Sequence, residues 1–241
     1  MFGEPPRSRF DLEFKVGSIP VRIHPLFWLA GILLGFSSRG TGQQVVLWVA
    51  AMFVSILVHE LGHALVARAY GWPPHIVMHG MGGLAIYTPT HQKRFPRALI
   101  AFSGPGAGFV LGGAMLAAIV WTGHSVGVPL TDIRLGEGPP LMTGRLGLFI
   151  NYMLFMNIVW GLINLAPIHP LDGGAIAGTL IEKYRPRDGL TLSLKLSIAA
   201  SIALAVVGMM LWRSFFMAML FGILAFQSWQ LLQQARHQGY A

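Results

Sequence analysis

The chain has 241 residues, of which 54% are hydrophobic and 11% charged, with a formal net charge of +8 and no cysteine. So small a charged fraction, against about 25% in soluble domains, leaves too little polar surface to cover a globule of this size and predicts an integral membrane protein. The lack of cysteine excludes disulfides and thiolate metal sites, so a metal would have to be held by His, Asp or Glu.

Residues 1–18 are polar and the first apolar stretch follows them, which predicts a retained anchor, not a cleaved signal peptide. Six apolar segments of about 20 residues predict membrane-spanning helices, at roughly 19–37, 44–67, 98–121, 146–165, 190–212 and 214–235. The first carries Arg22, His24 and Pro25 near its start, and the last two are separated by little more than Arg213, which predicts a tight hairpin. Between the second and third segments, residues 71–97 are too broken by Gly and Pro to span. Within them IVMHGMGGLAIY has strand-like ends and a glycine centre, the pattern of a β-hairpin. The expected fold is an all-α polytopic membrane protein of about six transmembrane helices, with a small membrane-associated β-hairpin between the second and third. No composition shift marks a second soluble domain, so residues 1–241 are expected to form a single membrane domain.

The basic residues set an orientation. With the N-terminus in the cytoplasm, twelve cations fall on that side: Arg7, Arg9, Lys15, Arg22, Arg68, Lys93, Arg94, Arg97, Lys183, Arg185, Arg187 and Arg236. Four fall on the other, Arg39, Arg134, Arg145 and Arg213, while Lys195 lies inside the start of the fifth span. This is a positive-inside bias, and it predicts both termini in the cytoplasm. It also accounts for the basic charge through the lipid bilayer, with no nucleic acid as partner.

The second span ends in VHELGHALVAR, residues 58–68. Positions i and i+4 of a helix share a face, so His59 and His63 can converge on one metal ion. Glu60 is offset by about 100°, where it can reach a water on the metal without ligating it. This is the HExxH arrangement of zinc hydrolases, with the glutamate as general base. Packing histidines are the plainer alternative. Against them, an ionisable group at membrane depth costs a few kcal/mol and is usually functional. Gly62 and Ala64 are small enough to admit another backbone or a substrate beside this helix.

A catalytic zinc usually takes three protein ligands and leaves one position for water. The third is sought in NLAPIHPLDGG, residues 164–174, just past the fourth span on the same side. Asp172 and His169 both have suitable donors; His24, His75 and His79 are weaker candidates. The third span carries Gly104, Gly108 and Gly112 at four-residue steps, a row that favours close helix packing. Asn157 and Asn164 share a face of the fourth span, and Asn157 is expected to make an interhelical hydrogen bond.

HELGH at 59–63, NLAPIHPLDGG at 164–174, GGLA at 82–85 and SGPGAG at 103–108 together resemble the site-2 protease family of intramembrane zinc metalloproteases. The resemblance covers about residues 20–185, with two extra C-terminal helices at about 190–235. Gly108 stands where family members often carry Asn. The resemblance implies that His59, His63 and Asp172 hold Zn2+, that Glu60 activates water, and that Asn164 contacts substrate near the scissile bond. It implies regulated intramembrane proteolysis of a membrane-protein substrate with a transmembrane helix, in the six-span branch without an appended soluble domain. An edge strand in 76–87, with Gly82, Gly83 and Leu84, could pair with an unwound stretch of substrate. The expected setting is a prokaryotic cytoplasmic membrane, with the active-site opening on the cytoplasmic side. A membrane regulator and a homo-oligomer both remain open. The alternative function is a catalytically silent membrane scaffold or chaperone. A zinc transporter would call for polar residues through several spans, whereas here they cluster at one depth.

Overall fold

The computed structural model describes residues 4–37, 41–80, 82–89, 94–129, 131, 133–141, 144–210 and 213–237. The chain divides into two compact units, Met1–His91 with Ser103–Leu162, and Gln92–Phe102 with Ile163–Ala241.

The first unit opens with a feature that composition hides. The apolar run expected as the first span, 19–37, splits into strand β2 (Ile19–Ile23) and helix α1 (Pro25–Ser37). Alternation explains the strand. Ile19, Val21 and Ile23 are buried on one face, while Arg22 points to the other. There its guanidinium donates to Asp11 Oδ2 and Glu4 Oε1, both at 2.8 Å. Pro25, with no backbone N–H to lose, begins the helix where a proline is best tolerated. Thirteen residues make α1 about 20 Å long, short of a typical bilayer core of about 30 Å.

β2 pairs antiparallel with β1 (Leu12–Val16) and parallel with β3 (Pro74–His79), which pairs antiparallel with β4 (Gly82–Tyr87). The expected hairpin is thus the second half of a four-stranded sheet in the order β1-β2-β3-β4. Ile76, Val77 and Met78 of the inner strand β3 are fully buried. The cluster that holds Ile76 and Met78 includes Phe27 of α1 and Met52 and Ala64 of the long helix α2 (Gly42–Ala69).

Because β2 lies beside β3, the chain before α1 and the chain after α2 sit at the same end of this unit. α1 and α2 therefore run as an antiparallel pair. Their close approach is marked where a Cβ on Gly31 would strike Met52 and one on Gly35 would lie 3.1 Å from Val45 and Trp48. Helix α3 (Arg94–Trp121) carries Pro105 inside it, so SGPGAG lies within the helix. A short pair, β5 (Val126–Gly127) and β6 (Arg134–Leu135), precedes α4 (Gly144–Asn164). Phe155–Trp160 of α4 is π-helical.

The second unit contains α5 (Asp172–Tyr184) and the hairpin of α6 (Gly189–Met210) and α7 (Phe215–His237). Ser193, Ser197 and Ser201 recur at four-residue steps on α6 and, with Ser228 of α7, are at most 2% exposed. Small residues at this spacing let two membrane helices approach closely. Among the described residues five helices, α2, α3, α4, α6 and α7, are long and apolar enough to cross a membrane, with lengths of 21 to 28 residues. With α1 as a shorter sixth apolar helix, the all-α polytopic architecture and its β-hairpin stand as expected. The N-terminal strands are an addition.

Candidate metal centre

α2 turns one face of its C-terminal half toward β4 and α3. The ligand atoms of His59, Glu60 and His63 lie within 4.8 Å of one another. His59 Nε2 and His63 Nε2 stand 3.0 Å apart, with the ring planes 82° to each other. Two nitrogens bound to one tetrahedral zinc at the usual distances would be about 3.3 Å apart, so a small opening of the pair suffices. Glu60 and His63 are 5% and 7% exposed. The two imidazoles, His63 buried and His59 half-buried, supply a pair of nitrogen donors suited to zinc, with the buried Glu60 carboxylate beside them.

Glycines make the room. A Cβ on Gly104 of α3 would collide with His63 Nε2 and come within 2.8 Å of His59 Nε2. One on Gly83 of β4 would collide with the Glu60 side chain. One on Gly62 would strike the carbonyl oxygen of Ser103, so the α2 and α3 backbones meet at HELGH itself. This is the close approach expected of Gly62. Gly104 does something the sequence did not reveal. Gly108 and Gly112 face Asn157 and Ile158 as packing glycines, whereas Gly104 faces the imidazoles.

Asn157 makes the expected interhelical bond. Its Nδ2 donates to Ser55 Oγ of α2 at 2.9 Å, one turn before His59, and to Met153 O at 2.8 Å. Both Asn157 and Ser55 are buried. The bond fixes α2 against the π-helical segment, a distortion that often accompanies functional sites. Ser55 drew no attention in the sequence because a lone serine in an apolar helix carries no pattern.

In the second unit, Asn164 ends α4 and Asp172 is the first residue of α5. A Cβ on Gly173 would meet the carbonyls of Leu165 and Ala166, and one on Gly174 that of Ile168. The turn therefore folds back on itself where DGG stands. The hairpin of α6 and α7 holds this turn by its backbone: His169 N–H donates to Ser197 Oγ at 3.1 Å, and Ser228 Oγ donates to His169 O at 3.4 Å. His169 Nε2 is buried, and a Cβ on Gly178 would lie 3.5 Å from it. Burial pushes the His169 imidazole below its ordinary range, opposed by the charge of Glu182.

His75 and His79, weaker candidates in the sequence, belong to β3. His75 is 3.5 Å from Glu4 on the outer face of the sheet. His79 is held below the usual imidazole range by burial and by the charge of His24. Among the described residues, the His59–Glu60–His63 group alone has metal-binding spacing.

Comparison with known proteins agrees with this geometry. The model of peptidase family M50 matches residues 47–208. The chain is 28% identical over 196 residues to the zinc metalloprotease MJ0392 of Methanocaldococcus jannaschii, covering 80% of this chain and 51% of that protein. It spans about half the length of the curated relatives it matches. It shares its fold with a solved site-2 protease from Methanocaldococcus jannaschii, with a TM-score of 0.58 and 22% identity over 92% of this chain and 95% of that one.

Proposed function

The chain belongs to peptidase family M50, and from that premise we propose that it is a zinc-dependent intramembrane endopeptidase. Its substrate is a membrane protein cut in or near a transmembrane segment. The observation that carries this reading is the pair of imidazole nitrogens 3.0 Å apart, with Glu60 beside them, on a helix long enough to span.

His59 and His63 hold the ion through Nε2, and Asp172 supplies a carboxylate as third ligand. Asp172 is preferred to His169 because it opens a helix whose next two glycines pack on the turn before it, while the His169 ring is turned toward Gly178. When bound, zinc polarises a substrate carbonyl and brings the pKa of a water down to about 7. Glu60 takes the proton of that water on a carboxylate oxygen and later delivers it to the leaving amine.

A helical peptide bond is shielded by its own hydrogen bonds, so the substrate must be unwound. β4 is suited to capture the unwound stretch. It is an end strand of the sheet, and Gly83 brings it against Glu60. Gly82, Gly83 and Leu84 then present backbone groups to a substrate strand, and Asn164 offers a side-chain amide near the scissile bond. The protein lies in a prokaryotic cytoplasmic membrane with both termini and the site opening toward the cytoplasm. The α1–α2 pair returns the N-terminal strands to the end of the unit where the hairpin lies, and the positive-inside bias assigns that end to the cytoplasm.

The test is cleavage of a membrane-anchored reporter peptide by the purified chain in proteoliposomes. A chelator should stop cleavage and added zinc should restore it; cleavage indifferent to both would refute the reading. Leu84→Pro should reduce cleavage while zinc stays bound, and unchanged cleavage in that variant would remove strand pairing from the account.

A further inference from the structure

A second polar feature lies away from the metal ligands, in the second unit. Lys195 is six residues past Gly189, the first residue of α6, about 9 Å along an apolar helix. Leu194 packs against Leu232 and Ala235 of α7, so the beginning of α6 meets the end of α7. Lys195 and Arg236 each directly follow a member of that contact. Together with Arg185, Asp188, Thr191 and Leu192 they line a cleft of about 330 Å3.

Three cations thus face one carboxylate. Among the described residues, none of Arg185, Lys195 and Arg236 has an ion-pair partner. Cations at the interfacial end of a membrane helix commonly lie scattered toward water. Here they converge on one concavity, and the surface beside it is apolar: Leu190, Leu192 and Leu196 are exposed on the same helix. A cleft of net positive charge bordered by exposed leucines has the charge and polarity of a phospholipid's complement. Basic pockets at the interfacial ends of membrane helices recognise such headgroups, and the volume lies within the usual range for ligand sites.

We propose that this cleft binds the phosphate-bearing headgroup of an anionic phospholipid. Arg185, Lys195 and Arg236 surround the phosphate, and the acyl chains lie over Leu192 and Leu196. The leucine border and the position of Lys195 within a spanning helix favour a lipid over free phosphate. The inference is independent of the protease reading.

Native mass spectrometry of the full chain in detergent, titrated with phosphatidylglycerol and with phosphatidylcholine, tests it. The wild type should bind phosphatidylglycerol at least about tenfold more tightly than phosphatidylcholine. Lys195→Gln with Arg236→Gln should abolish most of that preference. Arg9→Gln with Lys15→Gln, which removes the same charge from exposed positions in the first unit, should retain it. No preference in the wild type would overturn the proposal. Equal loss in both double variants would overturn it too, showing diffuse attraction. Displacement of the lipid by inorganic phosphate of equal affinity would replace it with a free-phosphate site.

Discussion

Glu60→Gln should lower peptide cleavage by about 10²- to 10⁴-fold while the zinc content of the protein stays at the wild-type level. Glutamine keeps the shape of the side chain, which matters where Gly83 packs directly against Glu60 and the residue is 5% exposed. It cannot accept a proton from water, so the substitution removes the base and leaves the imidazoles in place. Cleavage in proteoliposomes and zinc content should be measured on the same preparation. Retained cleavage would show that Glu60 is not the base. Loss of zinc together with cleavage would show that Glu60 holds the site together instead of doing chemistry in it.

Gly104→Ala should weaken zinc binding by about 10- to 100-fold, the range seen when the groups that orient metal ligands are disturbed. The added methyl would collide with His63 Nε2 and lie 2.8 Å from His59 Nε2, so at least one imidazole must rotate away. Gly113→Ala on the same helix is the control. Nothing lies within 4 Å of its new methyl, and alanine favours a helix over glycine by about 1 kcal/mol. Its zinc affinity should match the wild type. Competition with a fluorescent chelator reads both. Wild-type affinity in Gly104→Ala would mean that these ring nitrogens are not the zinc donors.

The clustering of His59, Glu60 and His63 was legible in the sequence because an apolar helix makes any charge conspicuous, and the i, i+4 spacing then fixes which groups share a side. The β3–β4 hairpin was legible because its two strand-like runs flank a glycine centre. The N-terminal strands were hidden for a related reason: Ile19–Ile23 is apolar enough to read as the start of a span. The signal that separates them is local, the alternation of apolar Ile19, Val21 and Ile23 with Pro20 and Arg22. What makes it a strand is pairing with β3, where Val21 meets Ile76, and no local pattern records that partner. Gly104 was legible as a small residue in a packing row but not as the space in which two imidazoles sit, because helical spacing says which face a residue is on and not what stands opposite. The backbone clamp on His169 by Ser197 and Ser228 was equally invisible, since both serines lie in helices that otherwise read as lipid anchors.

The central claim is that His59, His63 and Asp172 hold one zinc ion. The most direct measurement is the metal content of detergent-purified wild type, His59→Ala, Asp172→Ala and His169→Ala by inductively coupled plasma mass spectrometry. The account predicts about one zinc per chain, lost in His59→Ala, weakened in Asp172→Ala and unchanged in His169→Ala. A wild type without zinc even after zinc is supplied, or zinc lost from His169→Ala and kept in Asp172→Ala, would contradict it.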